Sequence, residues 1–177
     1  EIGPRISNDG KLVRNPQKIQ RVWAMWNDGT TAYLAAGSDV HDVWNFESAG
    51  ARSFVHIDGD LTIENFMKAL DSGNAYASQG PLVYPEIMFG TEIQRAAGEE
   101  LTLKYTVQSV TGLQSVKLIE RGTEIDSLTF DGISDEVVVK FAVSPEHNTW
   151  YSLVIEDVDS KVAYTNPIWV SVEGESG

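Results

Sequence analysis

LTLKYTV, at Leu101–Val107, sets Leu101, Leu103, Tyr105 and Val107 on one side of an extended chain and Thr102, Lys104 and Thr106 on the other. A period of two with one apolar face is the pattern of a strand lying on a core with its other side in water. The same pattern returns at Val137, Val139, Phe141 and Val143, and again at Tyr151, Leu153 and Ile155. Leu82–Phe89, Ser115–Glu120, Ile125–Phe130 and Ile168–Val172 read as further short strands. Turn signals fall between these runs: Ala97-Gly98, Thr111-Gly112, Arg121-Gly122, Asp131-Gly132 and Glu146–Asn148. About seven strands with no helix between them call for an antiparallel β-sandwich of the immunoglobulin-like kind. The expected inward set is Leu103, Tyr105, Val139, Phe141, Leu153 and Ile155, because a slip of one residue would expose all six.

Upstream of Pro81 the period is helical. Asn15-Pro16 supplies a cap and a first-turn proline, and Ile19, Val22, Trp23 and Trp26 follow as one apolar stripe ended by Asn27-Asp28-Gly29. Thr62 caps a second helix in which Ile63, Phe66, Met67 and Leu70 share a face, closed by Ser72-Gly73. Ala32–Gly37, Arg52–Ile57 and Ala75–Ala77 read as strands, the first of them apolar enough to be buried on both faces. The expectation for residues 1–80 is therefore helices flanking a short, mostly parallel set of strands. A boundary is placed at Ser78–Pro81, dividing residues 1–80 from a sandwich at 81–177. Charge shifts near the same point: residues 1–84 hold 7 basic and 10 acidic side chains, residues 85–177 hold 6 and 16.

Composition removes several function classes. The formal net charge of −13 argues against nucleic acid and against anionic membranes, since both require basic patches. No apolar run approaches the roughly 20 residues of a membrane-spanning helix. With no cysteine in 177 residues there are neither disulfides nor thiolate metal sites. No Gly-rich phosphate loop and no G-x-S-x-G is present. Trp150 and Trp169 could stack on sugar rings, but both sit in strand patterns, where packing is the commoner role.

One polar pair stands apart. In AAGSDVHDVWN, at Ala35–Asn45, Asp39 and His41 follow an apolar run at a spacing that turns both toward one point on an extended chain. Such a pair suits zinc, iron or manganese, or a carboxylate that orients a histidine general base. For a lone D-x-H, a turn-capping aspartate beside a solvated histidine is the commoner case. His56 reads as a structural histidine, and Trp44 either walls a site or packs beneath the loop.

GSDVHDVWN, then ARSFVHI, then LTIENFMKALDSGNAYASQGPLVYP, and later TNPIWV, resemble in that order the C-terminal part of PHP-domain (polymerase and histidinol phosphatase) metal-dependent hydrolases, of the carbaryl-hydrolase-like branch. The resemblance covers most of the chain. It implies a distorted β/α barrel whose C-terminal portion is residues 1–80, with Asp39 and His41 as metal ligands. It also implies a divalent metal (zinc, manganese or iron) in the intact enzyme and a small ester or phosphoester as substrate.

Departures from the family pattern matter equally. The family opens its barrel with H-x-H and adds a glutamate and further histidines, whereas this chain has only His41, His56 and His147 and no H-x-H. The chain also opens on Glu1 rather than Met. The expectation is a C-terminal fragment that lacks most of its metal site, holds no metal and has no activity by itself, and is able to self-associate through its incomplete barrel. The alternative is a non-catalytic accessory sandwich that binds a partner or a polymer.

Overall fold

A computed structural model describes residues 5–6, 12–13, 16–38 and 50–175. In chain order the elements are β1 (Arg5–Ile6), β2 (Leu12–Val13), α1 (Pro16–Asn27), β3 (Arg52–Val55), α2 (Ile63–Asp71), β4 (Ala75–Ser78), β5 (Leu82–Pro85) and β6 (Glu92–Arg95). There follow β7 (Leu101–Gln108), β8 (Leu113–Glu120), β9 (Thr123–Ile133), β10 (Val137–Val143), β11 (Thr149–Asp157), β12 (Val162–Thr165) and β13 (Ile168–Val172). Both helices lie where the apolar stripes place them. No helix interrupts residues 82–172.

Two sheets face one another. The smaller has the order β10-β7-β5, and its register pairs Val139 with Tyr105 and Phe141 with Leu103. The larger is built on β11, which pairs along one edge with β8. Along its other edge β11 pairs with β13 near its start and with β12 near its end. Outside these lie β4 beside β12, β6 beside β13, and β3 beside β4, while β9 continues from β8. The inner faces meet in one apolar core. All six side chains expected to point inward belong to it, each no more than 2% exposed. At roughly 25 cal/mol per Å² of apolar area, each contributes on the order of 2 kcal/mol.

α1 covers the outer face of the larger sheet. Strict alternation sends Tyr151, Leu153 and Ile155 inward, which leaves Trp150 and Val154 of β11 on the other side. There they meet Ile19, Val22, Trp23 and Trp26 of α1 together with Ile119 of β8 and Trp169 of β13. The Trp26 ring stands edge-on to Trp150 at 5.0 Å and edge-on to Trp169 at 6.3 Å. Trp150 donates its indole N–H to Asn27 Oδ1 at 2.9 Å, and Asn27 Nδ2 donates to the Arg121 carbonyl. The tryptophans are therefore packing elements of a second core.

Three expectations are corrected. Residues 32–37 form no strand: their backbone groups bond to side chains instead of a neighbouring ladder. β3 and β4 are antiparallel, and β4 is antiparallel to β12, so the described strands of the N-terminal half are not a parallel set. β13 and β6 are parallel, so the larger sheet is mixed. The ladders run across Ser78–Pro81, because β4 joins the sheet that β11 organises.

Tyr105 carries a cost inside this core. The residue is 1% exposed, its hydroxyl has no hydrogen-bond partner among the described residues, and burial raises its pKa above the usual phenol range. A buried unpartnered polar group costs about 1–3 kcal/mol. Tyr105→Phe should accordingly raise stability by about 1 kcal/mol, read as a higher urea midpoint at unchanged slope. A lowered midpoint would mean that the hydroxyl has a partner after all.

Candidate functional site

The stretch 31–38 leads directly to Asp39, and its placement explains why it needs no ladder. Trp26 Nε1 donates to the Ala32 carbonyl at 2.6 Å. The Leu34 N–H donates to Asn166 Oδ1, also at 2.6 Å, and the Leu34 side chain is buried. The Ala36 N–H donates to Ser53 Oγ at 2.8 Å, and Ser53 Oγ donates back to the Ala36 carbonyl at 3.1 Å. A helix, a strand and the β12–β13 junction thus each hold one point of the same short segment.

Asn166 is the centre of this arrangement. It is fully buried, and besides accepting from Leu34 it donates through Nδ2 to the carbonyls of Ala75 at 2.9 Å and Gly73 at 3.2 Å. One amide therefore ties the segment before Asp39 to the turn between α2 and β4. Gly73 has φ +76°, and a Cβ there would overlap the Tyr33 ring. Glycine is what lets Tyr33 seat against this turn.

Asp39 and His41 lie outside the described residues, as do Asn15 and Val43–Phe46 with Trp44. The other two histidines each face one carboxylate on a different element. His56 Nε2 is 3.1 Å from Asp58 Oδ1 just after β3, and His147 Nδ1 is 3.0 Å from Glu175 Oε1 after β10. Among the described residues no group of three or more His, Asp or Glu side chains is placed to hold a metal ion.

Sequence reasoning missed Asp157, the one fully buried carboxylate among the described residues. Its Oδ2 accepts from Ser109 Oγ and Thr111 Oγ1, and its Oδ1 accepts from the N–H groups of Asp159 and Lys161. Four donors fill both oxygens, so its work is to hold the turn after β11 against the β7–β8 turn. Asn166 was missed as well, although it stands in TNPIWV. A single asparagine carries no periodicity, so only the three-dimensional junction shows its role.

Two of the cavities bounded by described residues lie close to these elements. One, of about 230 Å³, is apolar and bounded by Phe54, Tyr76, Val83, Met88 and Phe89. Tyr76 accepts there from the Val83 N–H, and burial pushes its pKa up to about 12. The other is an open cleft of about 710 Å³ between the end of α1 and the sheet, walled by Tyr33, Arg121, Asn148 and Trp169. Of its polar groups, Arg121 donates to the Asn148 carbonyl and Asn148 Oδ1 accepts from the Val172 N–H, while the buried Trp169 Nε1 has no partner among the described residues.

No protein-family model matches the chain, and no curated protein matches it. Among solved structures, the chain is similar to part of a crystal structure of an engineered protein at 18% identity with a TM-score of 0.35. That match takes in 53% of this chain and spans 21% of the other, and a likeness of this size carries no argument about function.

Proposed function

We propose that the chain is the C-terminal part of a PHP-type metal-dependent hydrolase, with Asp39 and His41 as ligands of a divalent metal and an ester or phosphoester as substrate. The observation that supports this reading is the convergence around residues 31–38. Ser53 comes from ARSFVHI, Gly73 and Ala75 from the long block after it, and Asn166 from TNPIWV. Motifs up to 132 residues apart thus meet on the one segment that leads into the D-x-H pair. Three side chains hold that segment in place up to the point from which the D-x-H pair continues, and fixed supports of this kind are what a metal-ligand pair requires.

An aspartate oxygen and an imidazole nitrogen suit zinc, manganese or iron. When bound, such a metal polarises the scissile bond and lowers the pKa of a bound water. Two donors fall short of the three protein ligands of a typical catalytic zinc site. His56 and His147 face Asp58 and Glu175 elsewhere, so on this reading the missing ligands come from a part of the protein outside these 177 residues. The sandwich, immunoglobulin-like on this reading, acts as the platform from which Asn166 holds the ligand segment.

The test compares this chain with a longer form that includes the region preceding it. Titration of the 177-residue chain with Zn²⁺ or Mn²⁺ should show weak binding. The longer form should retain metal through dialysis and hydrolyse p-nitrophenyl esters or phosphates, and Asp39→Ala or His41→Ala should abolish both. Sub-micromolar binding by this chain, lost in His41→Ala, would show the site complete here. Undiminished metal content in both variants of the longer form would remove the ligand assignment altogether.

A further inference from the structure

α2 sits on the protein by its small side. Ala69 is its one buried residue and Leu70 is half-buried, while the other large apolar residues are exposed: Ile63 is 85% exposed, Met67 49% and Phe66 37%, with Leu61 just before the helix at 83%. An amphipathic helix ordinarily buries that face. Here Ile63, Phe66 and Met67 stand at i, i+3 and i+4, the spacing by which one helix presents a stripe to another. A contiguous apolar surface of this kind marks an interaction site.

Charge around the stripe selects the occupant. The stretch from Asp58 to Asp71 holds Asp58, Asp60, Glu64 and Asp71 against Lys68 alone, all exposed. His56 lies against Asp58, and the other three carboxylates have no ion pair among the described residues. Interfacial membrane helices carry Lys and Arg beside their apolar face, the opposite of this flank. A second copy would bring the same acidic flank into a self-complementary contact, between chains that each carry −13. A helix with basic residues beside an apolar stripe satisfies both features.

We propose that the outward face of α2 is a docking surface for a basic amphipathic helix of a partner protein. The apolar stripe supplies the contact, and the carboxylates supply orientation and a salt-dependent association rate. The inference does not depend on whether Asp39 and His41 bind metal.

A fluorescein-labelled synthetic helix of about 18 residues, or five turns, serves as probe. It carries leucines at i, i+3, i+4 and i+7 and lysines elsewhere, and its anisotropy is followed as the 177-residue chain is added. Binding is expected for this peptide, and none for one of the same composition in scrambled order or for one with glutamate in place of lysine. Phe66→Ala with Met67→Ala should weaken binding about tenfold or more, since each side chain loses apolar area on contact. Phe66 is 37% exposed and Met67 49%, and circular dichroism checks that the variant keeps its fold. Glu64→Gln with Asp71→Asn should weaken binding and flatten its dependence on salt. Equal binding of the scrambled peptide, or no loss in the Phe66/Met67 variant, would overturn the proposal. So would a concentration-dependent dimer that Ile63→Asp abolishes, binding to phosphatidylserine-containing vesicles, or failure of a longer form of the protein to bind the peptide.

Discussion

Asn166→Ala should destabilise the protein by about 3 kcal/mol, because it strands the buried Leu34 N–H and the Ala75 carbonyl and leaves the Gly73 carbonyl with the Ala75 N–H alone. Asn166 has no exposed surface, and it serves Leu34, Gly73 and Ala75 simultaneously. Each unsatisfied group costs about 1–3 kcal/mol when buried, and a water drawn into the space recovers part of the total. The loss should be local as well as global. Amide exchange at Leu34 and Ala36 should accelerate more than exchange in β7 or β10, whose ladder Asn166 does not touch.

Asn166→Asp gives the sharper result. It keeps the acceptor that Leu34 needs but sets a carboxylate against two carbonyl oxygens, so at neutral pH it should be worse than alanine. Desolvation and those two carbonyls both favour the protonated acid, which raises the folded-state pKa of the introduced carboxyl. Stability of this variant is then greatest below the unfolded pKa and is lost as pH rises through the folded one. Urea midpoints across that range read both effects. If Asn166→Ala lies within about 0.5 kcal/mol of the parent, an effect typical of a surface position, the bonds do not hold the segment.

Trp150→Ala should cost about 4 kcal/mol, in the range for removing a large buried aromatic. Trp150 is 1% exposed, packs edge-on against Trp26 and donates to Asn27 Oδ1, so it joins α1 to the sheet by shape and by a hydrogen bond. The variant should lose exchange protection throughout α1 while the inner core keeps its own, since Leu153 and Ile155 point to the opposite face of β11. Trp150→Phe should fall between, by about 1–2 kcal/mol, keeping much of the ring contact and leaving Asn27 Oδ1 unpaired. Trp26→Ala and Trp150→Ala should not add, because each removes the other's contact. Retained protection of α1 in Trp150→Ala would show that the helix is held by other means.

The longer strands of residues 82–172 were legible because the inner face of each is written in its own alternation. Leu103, Tyr105, Val139 and Phe141 need no knowledge of their partners to be assigned inward. The two helices were legible for the same reason, their stripes being local. β6 and β12 were not, because EIQR and VAYT are too short for a period to show; they are strands by virtue of the edges of β13 and β11 beside them. The parallel pairing of β6 with β13 depends on how the chain returns, which no window of sequence contains.

Ala32–Gly37 is the instructive failure. Small apolar residues in a row predict a strand buried on both faces, and what they form is an irregular segment whose donors and acceptors are met by Trp26, Ser53 and Asn166. Buried backbone groups must be paired, but sequence does not say whether a ladder or a side chain will pair them. α2 fails in the other direction: its stripe predicts the helix correctly, yet not that Ile63, Phe66 and Met67 of that stripe are left exposed.

By itself, then, the sequence determined which residues are strands and helices wherever a period runs for two turns or four alternations. It also determined the acidic charge and the D-x-H pair that, with the motif order, suggests a metal site. Tertiary structure alone decided that α1 closes the outer face of β11, that β4 and β12 share one sheet across Ser78–Pro81, and that Asn166 fastens the segment before Asp39. The physical reason is one of range. Periodicity is set by the geometry of a single element, whereas a buried amide bonded across 132 residues exists only once the elements that hold its partners have packed.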